Sequence, residues 1–288
     1  MRMSPSTRTA LLAVGLLQTS LQTSCLGTPT PLAPGFAGSV GWPYHGVQTG
    51  AVELPPSGPG FVRYRKVDGF NWGQPGLVQA VQAAARHVQE ALPGGGPLVV
   101  GDLSARYGGR VSRHASHRSG RDVDLLWYMT TPDGAAIDNA HFVQVGADGL
   151  GREPDSGSYV RLDVAREWLL IKSLLGSQNI DVQWLFASRS VEALIVDYAL
   201  ARDEDPDLIW RAENVLQEPA ESLPHDDHLH LRIACSPEAS AQGCEAGGPY
   251  WSWLPALPIQ VQPPEVQPAE LQAFDGTELE GSDLLELL

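Results

Sequence analysis

The chain lacks the sequence signatures of several large protein classes. It contains no glycine loop ending in Gly-Lys-Ser or Gly-Lys-Thr, no Gly-X-Ser-X-Gly turn, no Cys-X-X-Cys pair and no His-Glu-X-X-His. These absences argue against a P-loop nucleotide site, an α/β-hydrolase nucleophile, a thioredoxin-like centre and a zincin. Cations are also scarce, with 19 Lys and Arg against 34 Asp and Glu and a formal net charge of -15. Because nucleic acid binding requires clustered cations, no nucleic acid partner is expected.

The first 25 residues are typical of an export leader. Arg2 and Arg8 precede an apolar run over residues 10–17, which is too short to span a bilayer. Small residues then lead to Cys25. This segment predicts a lipoprotein cleavage site at which Cys25 is lipidated and anchors the protein to a membrane. An ordinary signal peptide, with its cysteine near the cut by chance, is the alternative, and both predict export.

Only three cysteines are present in the chain. With Cys25 assigned to the leader, Cys235 and Cys244 remain, and export puts them where disulfides persist. We predict that they form a disulfide, the alternative being two unrelated reduced thiols. On the chain-entropy model so short a loop contributes roughly 2 to 3 kcal/mol.

The 288 residues are enough for one large domain or two small ones. We predict a leader over 1–25, a linker over 26–39, one folded domain over 40–254 and a tail over 255–288. Pro and Gly are frequent over 28–60, which predicts an N-terminal arm or loose covering segment. From Gln262 to Leu288 there are seven acidic residues and no basic one, which predicts a disordered tail; a weak amphipathic turn at its end is the alternative.

Helical and strand-like segments follow one another without strict β-α alternation. Apolar residues at helical spacing predict helices over 74–92, 163–176, 191–202 and 206–216. Short apolar runs predict strands over 61–67, 98–103, 122–130, 181–188 and 228–235. This irregular order favours an α+β fold with a small, mainly antiparallel central sheet flanked by helices and long loops.

Five of the eight histidines lie in two short windows, "HASH" at 114–117 and "HDDHLH" at 225–230. Because residues i and i+2 of a strand share a face, His228 and His230 lie together, with Leu229, Leu231 and Ile233 opposite. By the same rule Asp122 and Asp124 share a face. A turn at Gly120 can fold His117 back beside Asp124. Neighbouring strands of this kind would bring two imidazoles and one carboxylate together.

Two imidazoles and one carboxylate are a ligand set that suits zinc. Three protein ligands leave a fourth position open, as in catalytic zinc sites. A lone histidine at a strand end is usually only a satisfied polar group, but five in two windows favour a metal. We expect Asp122 to support the site by hydrogen bonding, whereas Asp226 and Asp227 either orient the histidines or belong to a solvated turn. No role is assigned to His45, His87 and His141.

Joined motifs within residues 40–252 resemble those of the penicillin-insensitive murein endopeptidases. These are zinc metallopeptidases related to lysostaphin and the D-alanyl-D-alanine peptidases. The wider group is marked by His, six residues, then Asp, with a later His-X-His, matched here by His117 to Asp124 and by His228 to His230. The closer resemblance lies in "HASH" leading to "GRDVD", in "HDDHLH" followed by a cysteine, and in "NWGQPGLVQAV" with "VVGDL" upstream.

The resemblance implies a periplasmic endopeptidase that holds one zinc ion per chain and cuts peptide cross-links of peptidoglycan, typically the D-alanyl to meso-diaminopimelyl bond. It implies His117, Asp124 and His230 as zinc ligands, with His228 and then His225 as catalytic histidines and His114 in the same cleft. A D,D-carboxypeptidase or dipeptidase is the alternative enzyme. A zinc-dependent cell-wall-binding module without turnover is the alternative from another class.

Overall fold

Fourteen strands and five helices form within the residues that the computed structural model describes, 35–65, 69–138, 141–220 and 223–256. The strands are β1 Ser39–Trp42, β2 His45–Gln48, β3 Val52–Glu53, β4 Ser57–Gly58, β5 Phe61–Arg63, β6 Trp72–Gly73, β7 Leu98–Val100, β8 Asp122–Leu126, β9 Met129–Thr130, β10 Leu150–Arg152, β11 Tyr159–Leu162, β12 Val182–Phe186, β13 Leu216–Gln217 and β14 His228–Ile233. The helices are α1 Pro75–Ala91, α2 Val164–Leu175, α3 Arg189–Leu200, α4 Pro206–Val215 and α5 Pro237–Ala241.

The central sheet has seven strands in the order β13-β12-β14-β8-β7-β5-β4. Its three middle pairings, β12 with β14, β14 with β8 and β8 with β7, are antiparallel, whereas β12 pairs with β13 and β5 with β7 in parallel. The described residues also form three smaller sheets, β1-β2, β3-β6 and β10-β11-β9. The predicted α+β class and mainly antiparallel sheet are therefore confirmed.

One face of the central sheet packs into the hydrophobic core. Val123 and Leu125 of β8 belong to one buried cluster with Leu229 and Leu231 of β14, and helices α1 to α4 contribute to the same cluster. Helix α1 begins with a proline in its first turn, and side chains cap the start of each of the four later helices. Asp163, for example, accepts a hydrogen bond from the Arg166 N–H, and Ser188 accepts one from the Val191 N–H. The opposite face of β8 and β14 remains available for polar side chains.

The N-terminal part of the body is more ordered than predicted. Of residues 28–60, those from 35 onward are described, and they include the antiparallel hairpin of β1 and β2. The prediction of a loose covering segment is therefore wrong for this part. Composition misled here, because glycine also occurs inside ordered strands: Gly41 lies within β1, where it adopts a φ of 75° and pairs with Gly46 of β2.

The predicted disulfide between Cys235 and Cys244 is confirmed, with 5.9 Å between the Cα atoms. It joins Cys235, two residues after β14, to Cys244, three residues after α5, a short helix the sequence did not predict. None of the described helices has both the length and the apolar character needed to cross a membrane. The leader with Cys25, and the tail from residue 257, lie outside the described residues, so the predictions about them stay predictions.

Candidate metal centre

The register between β8 and β14 brings the two histidine-rich windows together. His230 lies opposite Asp124, and Arg232 lies opposite Asp122. All four side chains point to the face of the sheet away from the core, as strand alternation predicts. The conjunction of the two windows is thus a result of strand pairing across more than a hundred residues of chain.

His117 reaches the same place through a strained turn. Its φ is 63°, in the left-handed region that non-glycine residues seldom occupy. Gly120 has a φ of 77°, and a Cβ there would lie 1.7 Å from Oε1 of Gln48, so the turn requires glycine. Backbone strain of this kind clusters at functional sites. The expectation that a turn at Gly120 folds His117 back toward Asp124 matches this geometry.

Three imidazole nitrogens converge on one carboxylate oxygen. Oδ1 of Asp124 lies 3.2 Å from Nε2 of His117, 3.3 Å from Nε2 of His228 and 3.4 Å from Nδ1 of His230. Each of the three rings is held through its other nitrogen. Nδ1 of His117 donates to the Leu103 carbonyl oxygen at 3.0 Å, and Nε2 of His230 donates to Oδ1 of Asp122 at 2.9 Å.

The inner atoms of this cluster fit a bound cation. Nε2 of His117 and Oδ1 of Asp124 are buried, and neither has a hydrogen-bond partner among the described residues. Buried polar atoms are normally paired, so an orphaned pair in a native site needs an explanation. Imidazole and carboxylate groups held by an outer shell of hydrogen bonds are the arrangement found around zinc.

Asp122 supports the cluster from beneath. Its Oδ1 also accepts from Nε of Arg232 at 2.6 Å, and its Oδ2 accepts from the backbone N–H of His117 at 3.3 Å. Burial acts to raise the pKa of Asp122, but Arg232 and the histidines hold it well below its usual value. The charged carboxylate therefore orients both His117 and His230, which agrees with the supporting role predicted for Asp122.

The electrostatics separate His230 from His228. Burial lowers the pKa of His230 to about 3, so its ring is neutral and free of a proton at Nδ1. Burial acts to lower the pKa of His228 as well, but the carboxylates of Asp124 and Asp227 together raise it to about 10. The side chain of His230 is 5% exposed and that of His228 is 15% exposed. His230 thus resembles a buried ligand, whereas His228 lies at the lip of the cleft.

Asp227 orients His228, since its Oδ1 lies 2.5 Å from Nδ1 of that ring. Asp226 does not act on the histidines in this way. Its carboxylate lies 3.4 Å from Nε2 of Gln144, and its carbonyl oxygen accepts from Trp127. For these two residues the sequence left open whether they orient the histidines or belong to a solvated turn, and in the structure Asp227 contacts a clustered histidine.

His225 and His114 complete the ring of imidazoles around the cleft. The centroid of His225 lies 4.9 Å from that of His228, and the centroid of His114 lies 4.2 Å from that of His117. His225 also has a positive φ, 52°, and its Nδ1 donates to the carbonyl oxygen of Leu223 at 2.8 Å. The structure therefore brings all five clustered histidines together.

Sequence analysis missed Asp102, which follows β7. Nε2 of His114 lies 2.9 Å from its Oδ2, and Arg113 and Arg65 pair with the same carboxylate. Burial acts to raise the pKa of Asp102, but His114 and the two arginines lower it to about 2. The signal in the sequence was weak, because "VVGDL" shows one acidic residue after a strand without indicating what it faces.

Within the part of the chain that the structure describes, three groups of side chains have the spacing to hold a metal. Two of them share the site, one formed by His114, His117 and Asp124 and the other by His225, His228 and His230. The third is formed by His141, Glu153 and Asp155, in which Nε2 of the histidine lies 3.1 Å from Oε1 of Glu153 and 3.4 Å from Oδ2 of Asp155. The predicted ligands His117, Asp124 and His230 take members from both groups at the site.

A cleft of about 910 Å³ opens over the histidines. His114, His225, His228 and His230 line it, together with aromatic residues beyond them. Its volume is within the range of sites that bind small molecules or extended peptides. The polar, histidine-rich sheet face beneath this open cleft is therefore a candidate metal centre.

Comparison with known proteins identifies the family. A sequence model described as penicillin-insensitive murein endopeptidase matches residues 39–251, so the chain belongs to that family. A protein of this name from Haemophilus influenzae is 27% identical over 248 residues, covering 84% of this chain and 78% of the relative. The protein of this name from Escherichia coli O6:K15:H31 is 27% identical, and the alignment covers 83% of this chain and 81% of the relative. The one from Klebsiella pneumoniae is 26% identical, and the alignment covers 80% of this chain and 83% of the relative. The resemblance predicted from the motifs is confirmed.

Proposed function

We propose that the protein is an exported, zinc-dependent endopeptidase that hydrolyses peptide cross-links of peptidoglycan, of the D-alanyl to meso-diaminopimelyl type. One observation carries the proposal: three anchored imidazoles aim their remaining nitrogens at Oδ1 of Asp124 beneath an open cleft. The family name supports the substrate, because the relatives are called murein endopeptidases.

His117, Asp124 and His230 would hold the zinc ion. They are the most buried members of the cluster, with side chains 0%, 1% and 5% exposed. A bound zinc ion would supply Lewis-acid chemistry, activating water as a nucleophile and polarising the scissile carbonyl. Asp122 holds the backbone of His117 and the ring of His230 in place for this role.

His228 is the candidate for proton transfer. Its Nδ1 is engaged by Asp227, so Nε2 is the atom that can exchange a proton with the substrate. An amide needs an acid for its leaving amine, and a positioned side chain contributes about a hundredfold or more in rate. His225 can assist across the cleft, whereas His114, held by Asp102, lines the opposite side of Asp124.

The endopeptidase is favoured over the carboxypeptidase alternative by the second histidine window. The D-alanyl-D-alanine dipeptidase branch, as the resemblance implies, uses a glutamate close before the last ligand as its base. This chain has "HDDH" at that place and no glutamate. The carboxylate of Asp227 pairs with His228, so it is not a separate base in the position of that glutamate.

Muropeptide analysis tests the proposal. Intact cross-linked sacculi are incubated with the purified protein, with and without a chelator, and the products are separated by chromatography. We expect dimeric muropeptides to be converted to monomers only in the absence of chelator. Release of free D-alanine without loss of dimers would favour the carboxypeptidase, and no product from zinc-loaded protein would favour a binding module.

A further inference from the structure

The sheet face that carries the candidate metal centre continues outward as an aromatic surface. In β12, Phe186 lies opposite His230 and Trp184 lies opposite Arg232. The two β12 rings are therefore on the same face as the histidines, with centroids 5.6 Å apart and planes inclined by 25°. Both rings line the same cleft as His225, His228 and His230.

Trp184 is held in place by its neighbours. Trp251 packs edge-on against it, with centroids 5.4 Å apart and planes at 81°, and Trp251 is itself fixed by donating from Nε1 to the Gln183 carbonyl oxygen at 2.8 Å. A Cβ at Gly248 would lie 2.5 Å from Nε1 of Trp184, so the backbone at Gly248 passes close to the Nε1 edge of the indole. The indole is thus a fixed, half-buried surface of the cleft, which binds a ligand without a large loss of side-chain entropy.

Other polar and aromatic side chains line the same cleft as Trp184. Gln217 of the edge strand β13 lies beside Phe186 in parallel register, so its amide is on the same face and lines the cleft. An amide side chain can donate and accept hydrogen bonds. Tyr44, which is 52% exposed, lines the cleft as well and stacks on Trp42 with centroids 5.7 Å apart. The outer cleft therefore combines aromatic rings with a neutral amide.

We propose that Trp184, Gln217 and Tyr44 form a saccharide subsite that binds the glycan strand to which the cross-linked peptides are attached. This proposal rests on the proposed murein substrate. A pyranose ring has an apolar C–H face, which packs on an indole or phenol ring, and a rim of hydroxyl and N-acetyl groups, which require amide partners. The subsite is continuous with the catalytic cleft, because Phe186 lies between Trp184 and His230, with its centroid 5.4 Å from that of His230.

The test compares two substrates that contain the same scissile bond. One is a cross-linked dimer that keeps its disaccharides, and the other is the peptide dimer released from its sugars by an amidase. For Trp184→Ala we expect the ratio of kcat/KM on the first to kcat/KM on the second to fall about tenfold, which corresponds to the loss of one aromatic contact. The fall should come mainly from KM.

Tyr44→Ala and Gln217→Ala provide variants at partly exposed positions, in case Trp184→Ala does not fold. Each should lower the same ratio at least threefold, whereas Tyr107→Ala, a tyrosine 69% exposed outside the cleft lining, should not change it. An unchanged ratio in all three subsite variants would overturn the proposal and assign the aromatic surface to an apolar peptide or protein partner.

A binding measurement separates this proposal from the proposed function. Glycan strands stripped of their peptides are titrated into the zinc-loaded protein, with tryptophan fluorescence as the readout. We expect saturable binding that is weakened about tenfold in Trp184→Ala. If the protein binds glycan in this way but cuts neither dimer, the proposed hydrolysis fails and the subsite stands. If it cuts both dimers and binds no glycan, the subsite fails alone.

Discussion

Oδ1 of Asp124 is the atom around which the candidate site is arranged. Three imidazole nitrogens lie within 3.4 Å of it, and each ring is fixed by an oxygen on its far side. Because all three approach similarly, distance alone does not distinguish ligand from catalytic residue. Burial makes the distinction, favouring His117 and His230 as ligands over the more exposed His228.

The ligand assignment predicts the metal content of single variants. The purified protein should hold about one zinc ion per chain, and His117→Ala, Asp124→Ala and His230→Ala should each lose stable binding, since three ligands leave no reserve. Elemental analysis after desalting measures this. His87→Ala, which removes an exposed histidine of α1, is the matched control and should retain its zinc. Stoichiometric zinc in all three site variants would disprove the assignment.

The role of His228 is tested by separating metal content from turnover. We expect His228→Ala to keep near-stoichiometric zinc and to lose about a hundredfold or more in turnover, because its Nε2 would exchange the proton. The readouts are elemental analysis and the rate of dimer cleavage. Loss of zinc would instead make His228 a ligand. Full activity with zinc retained would make His225 the better candidate.

Helix α2 carries a buried carboxyl group that the proposed chemistry does not use. Glu167 is 1% exposed and accepts a hydrogen bond from the Tyr128 backbone N–H at 2.6 Å. Burial raises its pKa to about 8. The folded protein therefore binds this proton more tightly than the unfolded chain does. Its stabilising contribution is complete below the unfolded pKa near 4.5 and is lost as the pH rises through 8.

We expect Glu167→Gln to leave the free energy of unfolding nearly unchanged at pH 5 and to raise it by a few kcal/mol at pH 9, since each pKa unit corresponds to about 1.4 kcal/mol. The amide keeps an acceptor for the Tyr128 N–H. Denaturant unfolding at both pH values measures the effect. Glu213→Gln on the exposed side of α4 is the control, and the same gain at both pH values in Glu167→Gln would contradict the argument.

The disulfide links the end of β14 to the chain beyond α5. Replacing both cysteines by serine should lower the free energy of unfolding by about 2 to 3 kcal/mol, the value for a loop of this length. Zinc content should change little, because His228 and His230 lie at the other end of β14. Chemical denaturation measures the change in the free energy of unfolding, and elemental analysis measures the zinc content. An unchanged free energy of unfolding would show that packing alone holds the loop.

At the scale of the whole molecule, the central sheet separates the side chains of the candidate site from the hydrophobic core. One face contributes Val123, Leu125 and Leu231 to the apolar cluster, and the other carries aspartates, histidines and aromatic rings. All of this lies within the predicted domain of residues 40–254.

A chain that ends after Ala256 should therefore keep its melting temperature within a few degrees and its cleavage of dimeric muropeptides. The physical reason is that Trp251 and Trp253, which pack against the core, are retained. Thermal unfolding and muropeptide analysis of the shortened protein measure the effect. A large loss of either property would show that residues 257–288 contribute to the fold or to substrate binding.

The sequence by itself determined the elements that follow from local periodicity and composition. Alternation placed His228 beside His230 and Asp122 beside Asp124, and helical spacing located α1 to α4 to within a few residues. Two neighbouring cysteines predicted the disulfide. These features depend on residues close in the chain, where backbone geometry alone relates one side chain to the next.

Only the tertiary structure decided what faces these residues. Strand pairing brought Asp124 opposite His230, the chain after β7 brought Asp102 to His114, and β12 extended the polar face with Trp184 and Phe186. Residues 35–60, whose composition indicated a loose arm, instead include the paired strands β1 to β4. Such contacts join segments that are distant in the chain. The register of the paired strands is selected by the burial of the whole core, and a local sequence pattern carries no information about that burial.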